Sequence, residues 1–162
     1  MTTVRPLDPR TDLDLVERFY RAAPDYWLFA DGKAPDAARA AAFFTDTPPG
    51  CDPGRSHRLG LFKDGTLAGL AELSFSFPTP EDAYLGLMIL GPWVQNRGHG
   101  AYFLAHVETL ARAALCPRLY LAVIAANTRG RAFWEREGFT ATGKSGLDPD
   151  TGHTLHRLVK PL

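Results

Sequence analysis

Cysteine is nearly missing from this chain of 162 residues: only Cys51 and Cys116 occur, in unrelated contexts and without a C-x-x-C pair. That excludes a disulfide-stapled scaffold and a thiolate metal knuckle, and points to a reduced intracellular protein without metal. A surplus of charge of one sign is missing as well. Lys plus Arg and Asp plus Glu stand at 18 each, a formal net charge of zero, whereas a general nucleic-acid or anionic-membrane binder carries a basic excess. No segment reaches the roughly 18 consecutive apolar residues of a membrane span. The opening Met1-Thr2-Thr3-Val4-Arg5-Pro6 lacks the apolar centre of a secretory leader. His57, His106, His153 and His156 share no metal-ligand spacing and read as ordinary surface or strand residues. Internal repeats and low-complexity tracts are also lacking. Together these absences predict a cytoplasmic protein whose partners include no membrane, no nucleic acid and no metal.

What is present suits one globular domain over residues 1–162. Apolar residues make up 45% of the chain, and a chain of this length can bury roughly 70% of its unfolded surface. A first strand is expected near residues 3–7, followed by Asp8-Pro9 as a turn signal. Leu15, Val16 and Phe19 at helical spacing predict an amphipathic helix near 12–21, with Thr11 or Asp12 as its cap. Pro24-Asp25-Tyr26-Trp27-Leu28-Phe29 breaks that pattern, and a second helix is expected over 35–44, with Pro35 in its first turn. The Pro/Gly-rich stretch 47–54 is a loop. Strands at 58–63 and 67–77 are expected to pair across Asp64-Gly65, a strong hairpin signal. Residues 83–90 form a strand apolar on both faces, hence central. A helix follows over 98–115, ended by Pro117, then a buried strand over 119–125. Asn127 or Thr128 caps a further helix that Gly138 terminates. Strands at 139–144 and 153–160, joined by a turn at 148–152, close the chain. The order is β α α β β β α β α β β, an α/β domain with a mixed sheet.

The most informative stretch is Gln95-Asn96-Arg97-Gly98-His99-Gly100, which follows the apolar run Leu85-Gly86-Leu87-Met88-Ile89-Leu90 and enters a helical pattern at Ala101. A strand, a glycine-bearing turn and a helix N-terminus form a site for anionic phosphate. Free backbone N–H groups point outward there, and the helix dipole adds roughly half a positive charge. Gly98 and Gly100 allow the backbone to approach a ligand with no Cβ in the way. A nucleotide binder of the Walker type is disfavoured, because no Gly-Lys-Ser/Thr and no leading parallel βαβ unit are present.

This order, with the glycine turn after the fourth strand, resembles the GNAT superfamily of N-acetyltransferases, in which a Gln/Arg-x-x-Gly-x-Gly/Ala turn holds the pyrophosphate of acetyl-CoA. Asn127, Gly130 and Phe133-Trp134-Glu135-Arg136-Glu137-Gly138-Phe139 resemble the family's second signature, at the expected distance downstream. The resemblance covers nearly the whole chain and is weakest over residues 22–55. It implies a single α/β (α+β) domain with a central mixed, mostly antiparallel sheet of about seven strands, splayed between strands 4 and 5 and flanked by four helices. It also implies acetyl-CoA as cosubstrate. The pantetheine arm would lie in the splayed gap like an inserted strand, and Pro92, unable to donate to a ladder, supports a disruption there. The amide of Leu90 or a neighbour would polarise the thioester carbonyl. Gln95, Asn96, Arg97, Gly98, His99, Gly100 and Ala101 would hold the pyrophosphate, and Asn127 would reach the pantetheine or the acceptor side.

Several of these residues keep two readings. Gln95 and Arg97 either touch phosphate or are solvated. His99 is a ligand contact or an exposed filler at a helix start, and Asn127 doubles as an N-cap. Trp134 stands where many family members place a tyrosine that protonates the departing thiolate. Indole N–H is no acid at neutral pH, so Trp134 is expected to pack against the coenzyme or the core, and a thiol with a pKa near 8.5 is a tolerable leaving group without help. Strand alternation sets Glu72 with Ser74 and Ser76 on one face, so Glu72 is either the catalytic base or part of a solvated stripe. Tyr84 is a second candidate. Asp25, Tyr26, Trp27 and Phe29 either hold the acceptor amine by ionic and cation–π contacts or plug the end of the sheet. The expected reaction is direct attack of a primary amine, on a small molecule or peptide, upon acetyl-CoA, catalysed by a monomer or homodimer. The competing expectation is a CoA-binding regulatory module without turnover.

Overall fold

The computed structural model describes residues 1–162. Seven strands join one sheet: β1 (Thr2–Pro6), β2 (His57–Lys63), β3 (Thr66–Phe75), β4 (Ala83–Leu90), β5 (Arg118–Ile124), β6 (Thr140–Leu147) and β7 (Thr154–Pro161), in the spatial order β1-β2-β3-β4-β5-β7-β6. All neighbours run antiparallel except β4 and β5, which are parallel. This is the mixed, mostly antiparallel sheet that the element order implied. The β2–β3 hairpin turns at Asp64 and Gly65, both with positive φ, as its Asp-Gly pair dictates.

Five α-helices flank the sheet rather than four: α1 (Pro9–Ala22), α2 (Asp25–Asp31), α3 (Ala37–Ala42), α4 (His99–Ala113) and α5 (Thr128–Arg136). The extra one is α2, in the stretch expected to break the helical pattern. Pro24 occupies its N-cap, where a missing N–H costs nothing, and its carbonyl accepts from the Leu28 N–H at 3.0 Å. Gly32, at φ +76°, ends it. A similar correction applies to α1, which starts at Pro9. Its cap is Asp8, which accepts from the Arg10 N–H, whereas Asp12 lies inside the helix, buried and paired with Arg5. Pro35 lies outside α3, whose cap is Asp36, bonded to the Arg39 N–H at 2.9 Å.

The two faces of the sheet bury separate cores. On one, Phe103, Leu104 and Val107 of α4 pack against Leu73, Leu85 and Leu121. On the other, Val16, Phe19 and Tyr20 of α1 and Ala40 of α3 pack against Leu70 and Ile89. Each such leucine or phenylalanine contributes about 1.5–3 kcal/mol by leaving water. Residue parity on β4 reverses midway. Ala83 and Leu85 face α4, but beyond Gly86 it is Met88 and Leu90 that do so, while Leu87 and Ile89 face α1. The cause is a bulge: Glu72 pairs with Leu87 and Leu73 with Leu85, leaving Gly86 as the extra residue.

The splay lies where it was expected. β4 and β5 are paired only at Ala83↔Leu119 and Tyr84↔Tyr120, and then diverge. Divergence begins just before Gly86, where a bulge adds local twist. The closed end is fastened by Arg118, whose Nε donates to Oδ1 of the fully buried Asp82 at 2.8 Å. At the open end, Pro92–Val94 form a single 3₁₀ turn leading toward α4.

Candidate active site

The turn between β4 and α4 is held by its own side chain: Gln95 Nε2 donates to the Leu90 carbonyl at 3.1 Å. Asn96 (φ +61°) and Gly98 (φ +83°) adopt left-handed backbone around the exposed Arg97. A Cβ on Gly98 would meet nothing within 4 Å, so its requirement is conformational. The first backbone donor of α4 to find an acceptor is Tyr102, bonded to the Gly98 carbonyl at 3.1 Å. The amides of His99, Gly100 and Ala101 have no protein acceptor and face outward at the positive end of a four-turn helix. His99 also carries a buried Nδ1 with no partner. Main-chain donors so arranged are suited to an anionic group.

The two sequence signatures meet in space. A Cβ on Gly100 would stand 3.0 Å from the Phe133 ring, so α5 rests directly on the first turn of α4. Asn127 caps α5, accepting from the Gly130 N–H at 2.9 Å, and a side chain on Gly130 would collide with the Asn127 amide. Trp134 is half-buried and edge-on to Phe133 at 4.9 Å and to Phe139 at 5.4 Å, joined to the α4-side core.

A cavity of about 430 Å³ opens on the other face of the sheet, under α1–α3, with Glu72, Tyr84, Gly86 and Leu87 among its lining residues. Glu72 is only 5% exposed, so it is no part of a solvated stripe. The Ser74 hydroxyl donates to its Oε1, and Arg58 Nη2 stands 3.8 Å from the same oxygen. Burial nevertheless pushes the Glu72 carboxyl above the usual carboxylate range, against the pull of Ser74 and Arg58. Gly86 makes the room: a Cβ there would overlap Glu72 Oε2. Burial likewise raises the Tyr84 phenol, with Arg157 pulling the other way. A carboxyl held above ordinary carboxylate values and a phenol that burial keeps protonated thus line one cavity, and groups of this kind can take up and return protons.

Of the aromatic group on α2, only Trp27 lines this cavity. The Arg39 guanidinium lies 4.2 Å over its ring and pairs with Asp31, so a cation of the protein itself occupies that face. Tyr26 packs edge-on to Trp27 at 5.1 Å. Phe29 stacks against His153, whose Nε2 meets the Phe29 carbonyl at 3.2 Å, and Asp25 is exposed in the first turn of α2. Sequence reasoning missed Arg58, Arg157 and Tyr20, all of which line the cavity. For Arg58 a signal existed, because counting back from the Asp64-Gly65 turn sets it within one residue of Glu72. The bulge between Leu61 and Phe62 makes them direct partners. No helix is long and apolar enough to cross a membrane.

The model of the acetyltransferase (GNAT) family matches residues 16–139 of this chain. An acetyltransferase from Thermus thermophilus is similar over 100% of this chain and 97% of its own, at 26% identity and a TM-score of 0.75. Two further solved structures share the fold. The ribosomal-protein-S18-alanine N-acetyltransferase of Escherichia coli is 19% identical, with 99% of this chain and 94% of that one covered and a TM-score of 0.71. The PaiA N-acetyltransferase of Thermoplasma acidophilum, solved in complex with coenzyme A, is 18% identical, with 100% and 99% covered and a TM-score of 0.71. No functionally curated protein sequence matches the chain. The family match runs unbroken from α1 through the divided sheet and the glycine turn to the end of α5, and on that ground the chain belongs to the GNAT family and is an acetyltransferase.

Proposed function

We propose that this acetyltransferase moves the acetyl group of acetyl-CoA directly onto a primary amine held in the cavity under α1–α3, with Glu72 as the base. One observation carries the reading. The unpaired edge of β4 leads from Leu90, beside the free amides at the mouth of α4, to Gly86, whose bulge seats the Glu72 carboxylate at the cavity. The chain's residues fit the cosubstrate on this same geometry. The amides of residues 97–101 would take the pyrophosphate, the open edge ending at Leu90 the pantetheine amides, and Asn127 and Trp134 the far wall. Acetyl-CoA supplies an acyl group already activated as a thioester. Glu72 takes the proton of the incoming ammonium, a task favoured by its raised affinity for protons. Tyr84, which burial keeps protonated, acts as a donor facing the same cavity. Neither cysteine lines that cavity and burial raises both thiols, which supports transfer without an acyl-enzyme. Two free cysteines also suit the reducing cytoplasm as its location.

Trp134 in place of tyrosine favours the alternative of a CoA-binding module without turnover, and the same experiment separates the two. Acetyl-CoA at a hundredfold excess over its Kd should stabilise the fold by about 2.7 kcal/mol. That is read as a raised melting temperature competed by CoA, with thiol release on adding an acceptor amine. A shift without thiol release across a broad amine panel would select the binding module. No shift at millimolar acetyl-CoA would overturn both.

A further inference from the structure

Two cavity-lining residues leave buried polar groups short of acceptors: the Tyr20 hydroxyl, whose one polar neighbour is the Trp27 indole, and Arg58 Nη2, whose nearest carboxylate oxygen, Glu72 Oε1, lies beyond hydrogen-bond distance at 3.8 Å. Tyr20 is 1% exposed and Arg58 7%. Arg58 is otherwise well anchored, with Nε donating to Ser56 Oγ at 2.8 Å and Nη1 to the Phe43 carbonyl at 2.7 Å, so a fixed guanidinium stands in the cavity wall with Nη2 on the Glu72 side. A buried donor without an acceptor costs about 1–3 kcal/mol, and two such donors at one cavity mark a place where something else supplies acceptors.

The charges facing the cavity agree. Its guanidiniums are Arg39, Arg58 and Arg157, and its carboxylates are Glu72 and Asp46. Arg39 is bound by Asp31, with the exposed Asp46 at 4.0 Å. Arg157, on β7, lies 5.2 Å over the Phe77 ring and has no carboxylate within ion-pair distance. Two guanidiniums therefore face a single buried carboxylate. A protonated polyamine, which brings donors and positive charge only, would meet repulsion there and offer Arg58 and Arg157 no acceptor.

We infer that the acceptor is a small zwitterion, a primary amine carrying a carboxylate or similar oxyanion, whose anion is received by Arg58, Arg157 and Tyr20 while its amine faces Glu72. This rests on the cavity being the acceptor site of the proposed reaction. The 3.8 Å between Arg58 Nη2 and Glu72 Oε1 places the anion-binding and amine-binding groups side by side, as the two ends of an amino acid stand. The volume of about 430 Å³ suits a molecule of that size.

The test uses the whole enzyme with paired acceptors, free amino acids against their amides and decarboxylated amines, together with linear polyamines. Thiol release measures turnover with acetyl-CoA, and calorimetry measures binding of each compound to enzyme saturated with CoA. Amino acids should exceed their amides in kcat/KM by about a hundredfold or more, because the amide leaves buried donors unpaired. Arg157→Gln should raise KM for the amino acid by about tenfold and leave KM for acetyl-CoA unchanged. Tyr20→Phe should raise the same KM without lowering the melting temperature of the free enzyme, whereas a purely structural hydroxyl would do the reverse. Polyamines or amides used as well as amino acids would overturn the inference and leave acetyl transfer standing. Binding of amino acids with no turnover would overturn the proposed reaction but keep the anion site. No binding of any amino acid would overturn the inference.

Discussion

Replacing Glu72 by glutamine tests the proposed base at nearly constant shape. The amide keeps an acceptor for the Ser74 hydroxyl and nearly the same volume in a site 5% exposed. Loss of a general base costs about 10²–10⁴-fold in rate, equivalent to about 2.7–5.5 kcal/mol on the barrier. Wild-type kcat/KM should rise with pH through the ionisation of Glu72, which lies above the usual carboxylate range, and the variant should lack that limb. Stability supplies an independent sign. A carboxyl whose folded value is raised favours the fold when protonated, below its unfolded value, and that contribution disappears as pH rises through the raised value. Above that raised value the ionised Glu72 is therefore a liability, which glutamine removes, so the melting temperature should hold or rise. The opposing effect is Arg58, which loses an ionic neighbour at 3.8 Å. If that pairing dominated, breaking it would cost about 3–5 kcal/mol, and each kcal/mol lowers the melting temperature by about 2–4 °C in a chain of this size. Scanning calorimetry at pH 8 and thiol-release pH profiles read both signs. A fall of many degrees, or kcat/KM within a few-fold of wild type, would refute the reasoning.

Two further substitutions probe the supports of the site. Gly86→Ala puts a methyl where Glu72 Oε2 now lies, so the carboxylate must swing away; thiol release should fall about as far as in Glu72→Gln, and an unimpaired enzyme would show that the bulge does not set the position of the base. Gly100→Val drives a side chain into the Phe133 ring, 3.0 Å from the first added carbon; KM for acetyl-CoA should rise by about tenfold or more, given an overpacking cost of about 1–3 kcal/mol at the α4–α5 contact, and an unchanged KM would detach the glycine turn from the cosubstrate.

Much of the fold was legible because local chemistry and tertiary context agree. Asp64-Gly65 dictates its hairpin, Asn127 caps its helix, and the doubly apolar run 83–90 is central. Proline misleads in both directions: read as breakers, Pro9 and Pro24 stand at helix starts and cost no hydrogen bond, whereas Pro35, read as a helix start, lies outside α3 because Asp36 caps it. The glycine turn could be read because a row of consecutive free amides at a helix start is local in sequence. The cavity under α1–α3 is not local. Arg157 reaches it only because β7 inserts between β5 and β6, and Glu72 is buried only because α1–α3 cover that face, neither of which a single strand's alternation reveals.

The short junction at Ala83–Tyr84 with Leu119–Tyr120 makes the sheet two panels hung on one pivot, the four-strand panel β1–β4 and the three-strand panel β5–β7–β6. Because Arg118 grips Asp82 at that pivot, the panels can be held apart at the far end without loosening either ladder. The gap is thus built into the sheet itself, and neither panel gives up a ladder hydrogen bond to keep it open.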